Sequence, residues 1–359
     1  MSSGTGAWPK SSSSRPPPEE VALALAARPW LLRVSAAALL ASLLGLAQLG
    51  ESRPAPAARW YKGNLHTHTL NSDGDSTPAE VAAWYRERRY DFLVLSDHNY
   101  LTDPAGLNAV YGAPGKFLLI PGEEVTDSFE KKPVHVNAYN PARLVEPQHG
   151  ASVAATIQNN VDEIRRARAL PSLNHPNLHW AVTIEDLLRV KGLEMFEVYN
   201  GHPAVNNHGG GGAPSLEEMW DALLAAGRKM HGIAVDDAHV FKRFGREFSN
   251  PGHGWVEVRA EALSAEAVVG ALERGDFYAS TGVKISEIQT SGSEYRLELQ
   301  PAAWEKVTTW FIGEGGKVLG RSFEPTAVYR YTGSEKYVRA RVESSTGARA
   351  WTQPVFGRR

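Results

Sequence analysis

Phe92-Leu93-Val94-Leu95-Ser96-Asp97-His98-Asn99 is an apolar run that ends at once in an acid, an imidazole and an amide. Four consecutive large apolar residues read as a strand buried on both faces, the habit of parallel sheets, and the polar residues then fall just past its end. The pattern repeats outward in both directions. Before it, Asn64-Leu65-His66-Thr67-His68 leads into Asp73; after it, Phe117-Leu118-Leu119-Ile120 runs through Pro121-Gly122 into Glu123-Glu124. Residues 134–138 contain His135, residues 170–174 are followed by His175, and residues 193–199 read as a further strand. Residues 230–235 are followed by Asp236-Asp237-Ala238-His239.

Helices fill the intervals. Thr77-Pro78-Ala79-Glu80 combines an N-cap Thr, a Pro at the first helical position and a capping-box Glu, which predicts a helix to about Arg89. Another is expected over residues 152–168, a short one opened by Thr183 with Asp186, and one from Ser215 with Glu218 to about Ala226. Repeated strand and helix units imply an α/β fold with a mostly parallel sheet, open or closed. Polar residues at successive strand ends favour a barrel, because barrels build their sites there. From Ile285 the helical period stops. Short alternating segments at 295–299, 307–312, 329–331, 337–342 and 351–356 predict a small β-sandwich, with Glu314-Gly315-Gly316-Lys317 as a hairpin turn. This tail either packs against the barrel or offers a recognition surface.

The composition is that of an ordinary globular chain: 359 residues, 42% hydrophobic and 22% charged, enough for one large domain and something smaller. A net charge of -2 gives no electrostatic case for nucleic acid or an anionic membrane surface as the main partner. Basic clusters such as Arg86-Glu87-Arg88-Arg89 read as solvated helix faces. There is no cysteine, which removes thiol catalysis, Cys-ligated zinc and disulfides together and leaves any metal to His, Asp and Glu. Residues 1–20, rich in Ser, Pro and Gly, are expected to be disordered. Arg28 and Arg33 then precede the apolar run 34–49 and a Pro/Ala-rich stretch to Ala58, the layout of an export signal. A retained membrane anchor through 34–49 is the alternative to cleavage. The expected organisation is thus 1–58 as leader, 59–287 as barrel and 288–359 as sandwich, in a periplasmic or extracellular protein.

If residues 64–68 form a strand, His66 and His68 share a face and one cation can take both. Alone, the pair competes with histidines that merely hydrogen-bond. Six of the twelve histidines, however, stand at comparable strand-end positions. Imidazoles and carboxylates without thiolates suit zinc, manganese or iron rather than calcium or a lone magnesium. Ions held close together need a bridging carboxylate, and Glu124 is placed to supply it.

The ordered set His66-x-His68, Asp73, Ser96-Asp97-His98, Pro121-Gly122-x-Glu124, His135, Asn174-His175-Pro176 and Asp237-x-His239 resembles the PHP family, named for polymerase and histidinol phosphatase. The resemblance spans about residues 60 to 285. Glu197-Val198-Tyr199-Asn200-Gly201 and Gly275-Asp276-Phe277-Tyr278-Ala279-Ser280-Thr281-Gly282 look like the branch containing carbaryl-type ester hydrolases. It implies a distorted (β/α)7 barrel of the PHP type with two or three divalent metal ions. One would be held by His66, His68, Glu124 and Asp237, a second by Glu124, His135 and His175, and a third by Asp73, His98 and His239. Many members carry His where this chain has Asp73. The spacings Gly-x-Glu and Asp-x-His select Glu124 and Asp237 over Glu123 and Asp236, which then either orient imidazoles or stand as loop acids.

Ions close together lower the pKa of a shared water from about 16 toward 7, giving a hydroxide that attacks phosphorus or a carbonyl carbon without a protein nucleophile. Asp97 or His239 would protonate the leaving group. Lys242 and Arg243, with Lys284 and Asn200, are the candidates for holding a small-molecule ester substrate, against the alternative of ordinary surface charge. His202 and His208 flank a loop ending in Gly209 to Gly212, which has no Lys-Ser/Thr after it and reads as a lid or a plain flexible loop. His179 and Trp180 either line the pocket or pack at a loop base. The expected function is an exported metallohydrolase cleaving a phosphoester, with a carboxyl or carbamate ester as the alternative. A catalytically silent binding protein on the same scaffold is the rival class.

Overall fold

Seven strands follow one another in sequence and in space: β1 (Arg59–Asn64), β2 (Phe92–Leu95), β3 (Leu118–Phe129), β4 (Lys132–Tyr139), β5 (Leu170–Leu173), β6 (Met195–Asn200) and β7 (His231–Val235), hydrogen-bonded in that order. The computed structural model describes residues 57–357, so the N-terminal tail and the export or anchor segment at 34–49 lie outside the described residues. Among the described residues no helix is long and apolar enough to cross a membrane.

The sheet is mixed. β1 to β3 run parallel, as do β5 to β7, but β4 is antiparallel to both neighbours. The cause lies in β3, which continues through Glu123-Glu124 to Phe129 and turns back at Glu130 and Lys131. A turn that short can join only antiparallel strands. Glu123 and Glu124 are therefore strand residues, not loop acids. β2 and β3 approach closely because Gly122 faces Val94, and a Cβ there would run into the valine side chain.

β1 stops at Asn64, earlier than expected, and residues 66–68 leave the ladder. They run instead beside the chain leaving β7: Thr67 bridges Ala238, the His68 N–H donates to the Ala238 carbonyl (2.9 Å) and the Asp237 N–H to the His66 carbonyl (3.0 Å). The ladder itself is open between β7 and β1. Among the described residues this bridge is what joins their ends.

The helices begin where local chemistry dictates. α1 (Pro78–Glu87), α4 (Ile184–Arg189) and α5 (Leu216–Ala225) each start on a reciprocal capping box, Thr77 with Glu80, Thr183 with Asp186 and Ser215 with Glu218. Such a cap contributes about 1 kcal/mol. Between α1 and α4 lie the short α2 (Ala105–Val110) and α3 (Val153–Arg166), which buries Ile157, Val161 and Ile164 on the sheet beside Val136 and Leu173. Each such side chain stabilises the fold by about 1.5–3 kcal/mol.

Residues 255–280, to which the sequence pattern assigns no strand or helix, form β8 (Trp255–Ala260), α6 (Ala265–Arg274) and β9 (Phe277–Ser280). β8 pairs with the free side of β1, and β9 with β8. Beyond them, β10 (Ile285–Thr290), β11 (Glu294–Leu299) and β14 (Thr326–Arg330) make a small antiparallel sheet, so β10 spans the expected boundary at residue 287. β12 (Val307–Ile312), β13 (Val318–Ser322), β15 (Tyr337–Ser344) and β16 (Arg349–Thr352) extend the main sheet through the β16–β9 pairing. Tyr278, Leu297, Phe311 and Val342 share the core between the two sheets.

The tail is also tied to α5 by a buried cation. Arg339 on β15 is fully buried, places Nε and Nη2 on the two oxygens of Asp221 (2.8 and 2.7 Å) and Nη2 on Glu217 (3.0 Å), and lies over the Trp220 ring. Arg341 adds a contact to Glu217 at 3.2 Å.

Candidate metal centre

The cluster lies at one end of the strands. His66 and His68 follow β1, His98 follows β2, Glu124 stands within β3, His175 follows β5, and Asp237 and His239 follow β7. His135 enters from the first half of β4, and because β4 runs the other way, its early residues meet the late residues of its neighbours. Asp73 hangs from the loop between β1 and α1.

Glu124 is the hub. It is fully buried, and Oε2 stands 3.2 Å from His66 Nε2, 3.3 Å from His68 Nε2 and 3.0 Å from His98 Nδ1. Oε1 stands 2.9 Å from His135 Nδ1 and 3.3 Å from His175 Nε2, and accepts from the Asn174 amide at 2.8 Å. Asp237 Oδ1 lies 3.3 Å from His66 Nε2 and 3.2 Å from His68 Nε2. The two imidazole nitrogens are themselves 3.1 Å apart. Asp73, more than half exposed, places its oxygens 3.5 Å from His98 Nε2 and 3.3 Å from His239 Nε2. All nine residues of the expected metal set thus converge. Their ligand atoms fall into four overlapping groups: His68 with Asp73, His98 and His239; His66 with His68 and Asp237; His66 with Glu124 and His175; His98 with Glu124 and His135.

Among the described residues no Lys or Arg pairs with Asp73, Glu124, Glu197 or Asp237, so histidines alone answer these carboxylates. Burial opposes charging Glu124, but His66, His135 and His98 outweigh it and hold its carboxyl well below the ordinary range. Asp237 behaves alike, through His66, His68 and His239. The imidazoles mirror this: burial works against protonating His66, yet Asp237, Glu124 and Glu197 hold its pKa well above the usual value. His98 is carried to about 10 by Glu124 and Asp73 against its burial. His135 goes the other way, its burial prevailing over Glu124. The carboxylates thus raise the proton affinity of His66 and His98 in the ion-free cluster. A buried, cysteine-free set of imidazoles and bridging carboxylates fits several borderline or hard divalent ions.

Glu197 was not among the expected site residues. It is fully buried on β6, its Oε1 2.6 Å from His66 Nδ1, while Oε2 accepts the His175 N–H (2.7 Å) and the Asn200 amide (2.7 Å). A carboxylate on Nδ1 holds that proton and leaves Nε2 free as the ligand atom. Its signal is a lone acid inside the apolar run Met195-Phe196-x-Val198. His239 is fixed similarly, donating Nδ1–H to the Asp237 carbonyl at 2.9 Å.

Other expected residues take different places. Asp97 is buried with its oxygens engaged by the Thr69 N–H (2.7 Å), Ser72 (2.8 Å) and Thr102 (3.1 Å), which pins the loop carrying His68 and Asp73 and turns it away from proton donation. Asn200, expected to meet substrate, is buried with its amide on Glu197 and Asp237 (3.0 Å) and its oxygen accepting the His202 N–H (2.8 Å). Neither Glu123 nor Asp236 orients an imidazole. Glu123 accepts the Val145 N–H, and burial raises its carboxyl to about 7; Asp236 accepts from Tyr85, His253 and Gly254. Lys242 and Arg243 are exposed, the latter over the Phe248 ring. Lys284 lines a cavity of ≈ 610 Å³ with Trp60 and Glu257, none of whose walls belongs to the cluster. Trp180 is exposed and lies beside Gly210, so the loops after β5 and β6 meet there.

No family model and no curated protein matches the sequence. Among solved structures, the chain is similar to a two-domain protein from Bacteroides vulgatus containing a predicted PHP-like metal-dependent phosphoesterase, at 16% identity and a TM-score of 0.47, over 80% of this chain and 90% of that one. It is also similar to an amidohydrolase from Chromobacterium violaceum with bound sulfate and no metal, at 19% identity and a TM-score of 0.35, over 50% of this chain and 88% of that one. A proposed metal-dependent phosphoesterase from Bifidobacterium adolescentis is similar at 16% identity and a TM-score of 0.37, over 54% of this chain and 91% of that one. These likenesses are loose, and the chemistry rests on the geometry of the cluster.

Proposed function

We propose that this chain is a metal-dependent hydrolase that cleaves a phosphoester at the Glu124 cluster, as a PHP-type enzyme does. The observation that carries the reading is Glu124 itself: a buried carboxylate with both oxygens turned to five imidazoles and, among the described residues, no Lys or Arg paired with it. His66, His68, Glu124 and Asp237 would hold one ion, Glu124, His135 and His175 a second, and Asp73, His98 and His239 a third. When bound, such ions supply Lewis acidity and allow water to act as the nucleophile at neutral pH.

The chain's own groups do the rest by placement. Glu197 keeps the His66 proton on Nδ1, and the Asp237 carbonyl keeps that of His239 on Nδ1, so each Nε2 faces inward. Asn174 and Asn200 hold Glu124 and Asp237 in orientation from behind. Ions filling the cluster would displace protons from the imidazoles, so metal affinity should weaken as pH falls. Export through residues 34–49 belongs to the same proposal.

A carboxyl or carbamate ester, as in the carbaryl-type branch, is the second reading, and one observation favours it: Lys242 and Arg243 are exposed, and the cluster carboxylates pair with histidines rather than with either of them, so little charge is set aside for a phosphate dianion. The test is turnover of bis(4-nitrophenyl) phosphate and of 4-nitrophenyl acetate, with zinc, with manganese and with chelator. Metal-dependent turnover of the first supports the phosphoester reading, and of the second alone the other. Bound metal with no turnover of either, and no change on His66→Ala, would leave a silent binding protein.

A further inference from the structure

His202 follows β6 by two residues and stands beside the cluster without joining it. Its backbone N–H donates to the Asn200 oxygen, and Asn200 in turn holds Glu197 and Asp237, so the turn carrying His202 is anchored to the site. Its ring meets that of His239 edge-on, with centroids 5.5 Å apart and planes at 74°. Nδ1 of His202 accepts the Ala204 N–H at 3.1 Å.

That last contact decides the chemistry. A ring nitrogen that accepts an N–H carries no proton of its own, so the proton of the neutral imidazole is on Nε2. An Nε2 that bears a proton cannot ligate a metal, which sets His202 apart from its neighbour His239, whose Nδ1 donates to the Asp237 carbonyl and whose Nε2 faces Asp73. Among the described residues nothing accepts from His202 Nε2. We propose that His202 is a catalytic residue of this site, a neutral donor whose Nε2–H binds an oxygen of the substrate's phosphoryl or acyl group as charge builds there. The assignment rests on the metallohydrolase reading. It supplies, from an uncharged group, a donor that no Lys or Arg among the described residues provides at the cluster carboxylates, and preorganised donors of this kind are worth about 10²–10³ in kcat.

His202→Phe keeps a ring without a donor, and His202→Gln keeps a donor without the ring. Both should bind metal with wild-type stoichiometry. The Phe variant should lose about 10²-fold in kcat on bis(4-nitrophenyl) phosphate and about tenfold in affinity for inorganic phosphate measured calorimetrically on the metal-loaded protein, and the Gln variant should recover much of both. Nitrogen NMR of the ion-free protein should show Nδ1 of His202 unprotonated. Wild-type turnover and phosphate affinity in the Phe variant, a drop in metal content in both variants, or a protonated Nδ1 would each overturn the proposal while leaving the hydrolase standing. A wild-type protein that takes up no metal overturns both.

Discussion

At Arg339 the protein buries a cation between Asp221 and Glu217; at Glu124 it buries carboxylates among imidazoles. Both networks bind distant parts of the chain. The first carries a permanent counter-charge, because the guanidinium is always charged and its Nε and Nη2 match the Asp221 carboxylate, although Nη1 finds no partner. The second is balanced only by protons that its histidines can lose. A buried network that carries its own permanent counter-charge reads as structure, and one that borrows protons reads as a place for ions.

Removing the hub should do most to break this contrast. Glu124→Gln is expected to lower metal-dependent turnover by at least ~10³-fold, a modest part of the ~10⁶-fold or more that enzymes supply, with loss of bound ions by elemental analysis; wild-type ion content in this variant would disprove the bridging role. Next comes Arg339→Leu, which strands the buried Asp221 while Glu217 keeps Arg341, and should cost about 3–5 kcal/mol in denaturant unfolding, with turnover per folded molecule retained. A change under about 1 kcal/mol would mean that the network is solvated. Glu197→Gln should reduce metal affinity or activity by about 10–100-fold, read by competition with a chromophoric chelator, and an unaltered affinity would strip Glu197 of its role in fixing His66.

The mildest test is pH. The folded-state pKa values of His66, His98, His175 and His239 are raised, that of His98 to about 10 from 6.5, against burial and through their carboxylate neighbours. Their stabilisation of the ion-free protein is full below about 6.5 and is lost as pH rises toward the folded values. Glu217 is lowered, Arg339 and Arg341 outweighing its burial, so its contribution is present above about 4.5 and is lost as pH falls. The Tm of ion-free protein should therefore decline from about pH 6.5 toward 10, and zinc or manganese should flatten that decline. A slope indifferent to metal would contradict the proton-for-ion exchange.

Much of this was legible in the sequence because it is local. The capping boxes at Thr77, Thr183 and Ser215 need only four residues each, and apolar runs ending in His98, His175 and Asp237 reveal a polar strand end without knowledge of the partner strands. What escaped depends on three dimensions. The direction of β4 cannot be read from its own alternation, nor the reach of β3 past Gly122, since Glu123 looks like a loop acid until His135 is placed opposite Thr126. Asn200 and Asp97 are polar whether they face substrate or hold a backbone, and only their partners distinguish the two. His202 read only as the flank of a loop, lid or plain, because its orientation comes from Ala204, not from any pattern.

The bridge between Thr67 and Ala238 has a mechanical consequence. His66 and His68 stand on one side of this seam, and Asp237 and His239 on the other, so an ion taking ligands from both sides rivets the two edges of the ladder. Local openings that part the seam expose the amides of His68 and Asp237, which donate across it. Ions should slow the deuterium exchange of those amides far more than that of β15, and chelation should restore it. The centre would then govern how often the molecule breathes at that edge as well as what it cleaves.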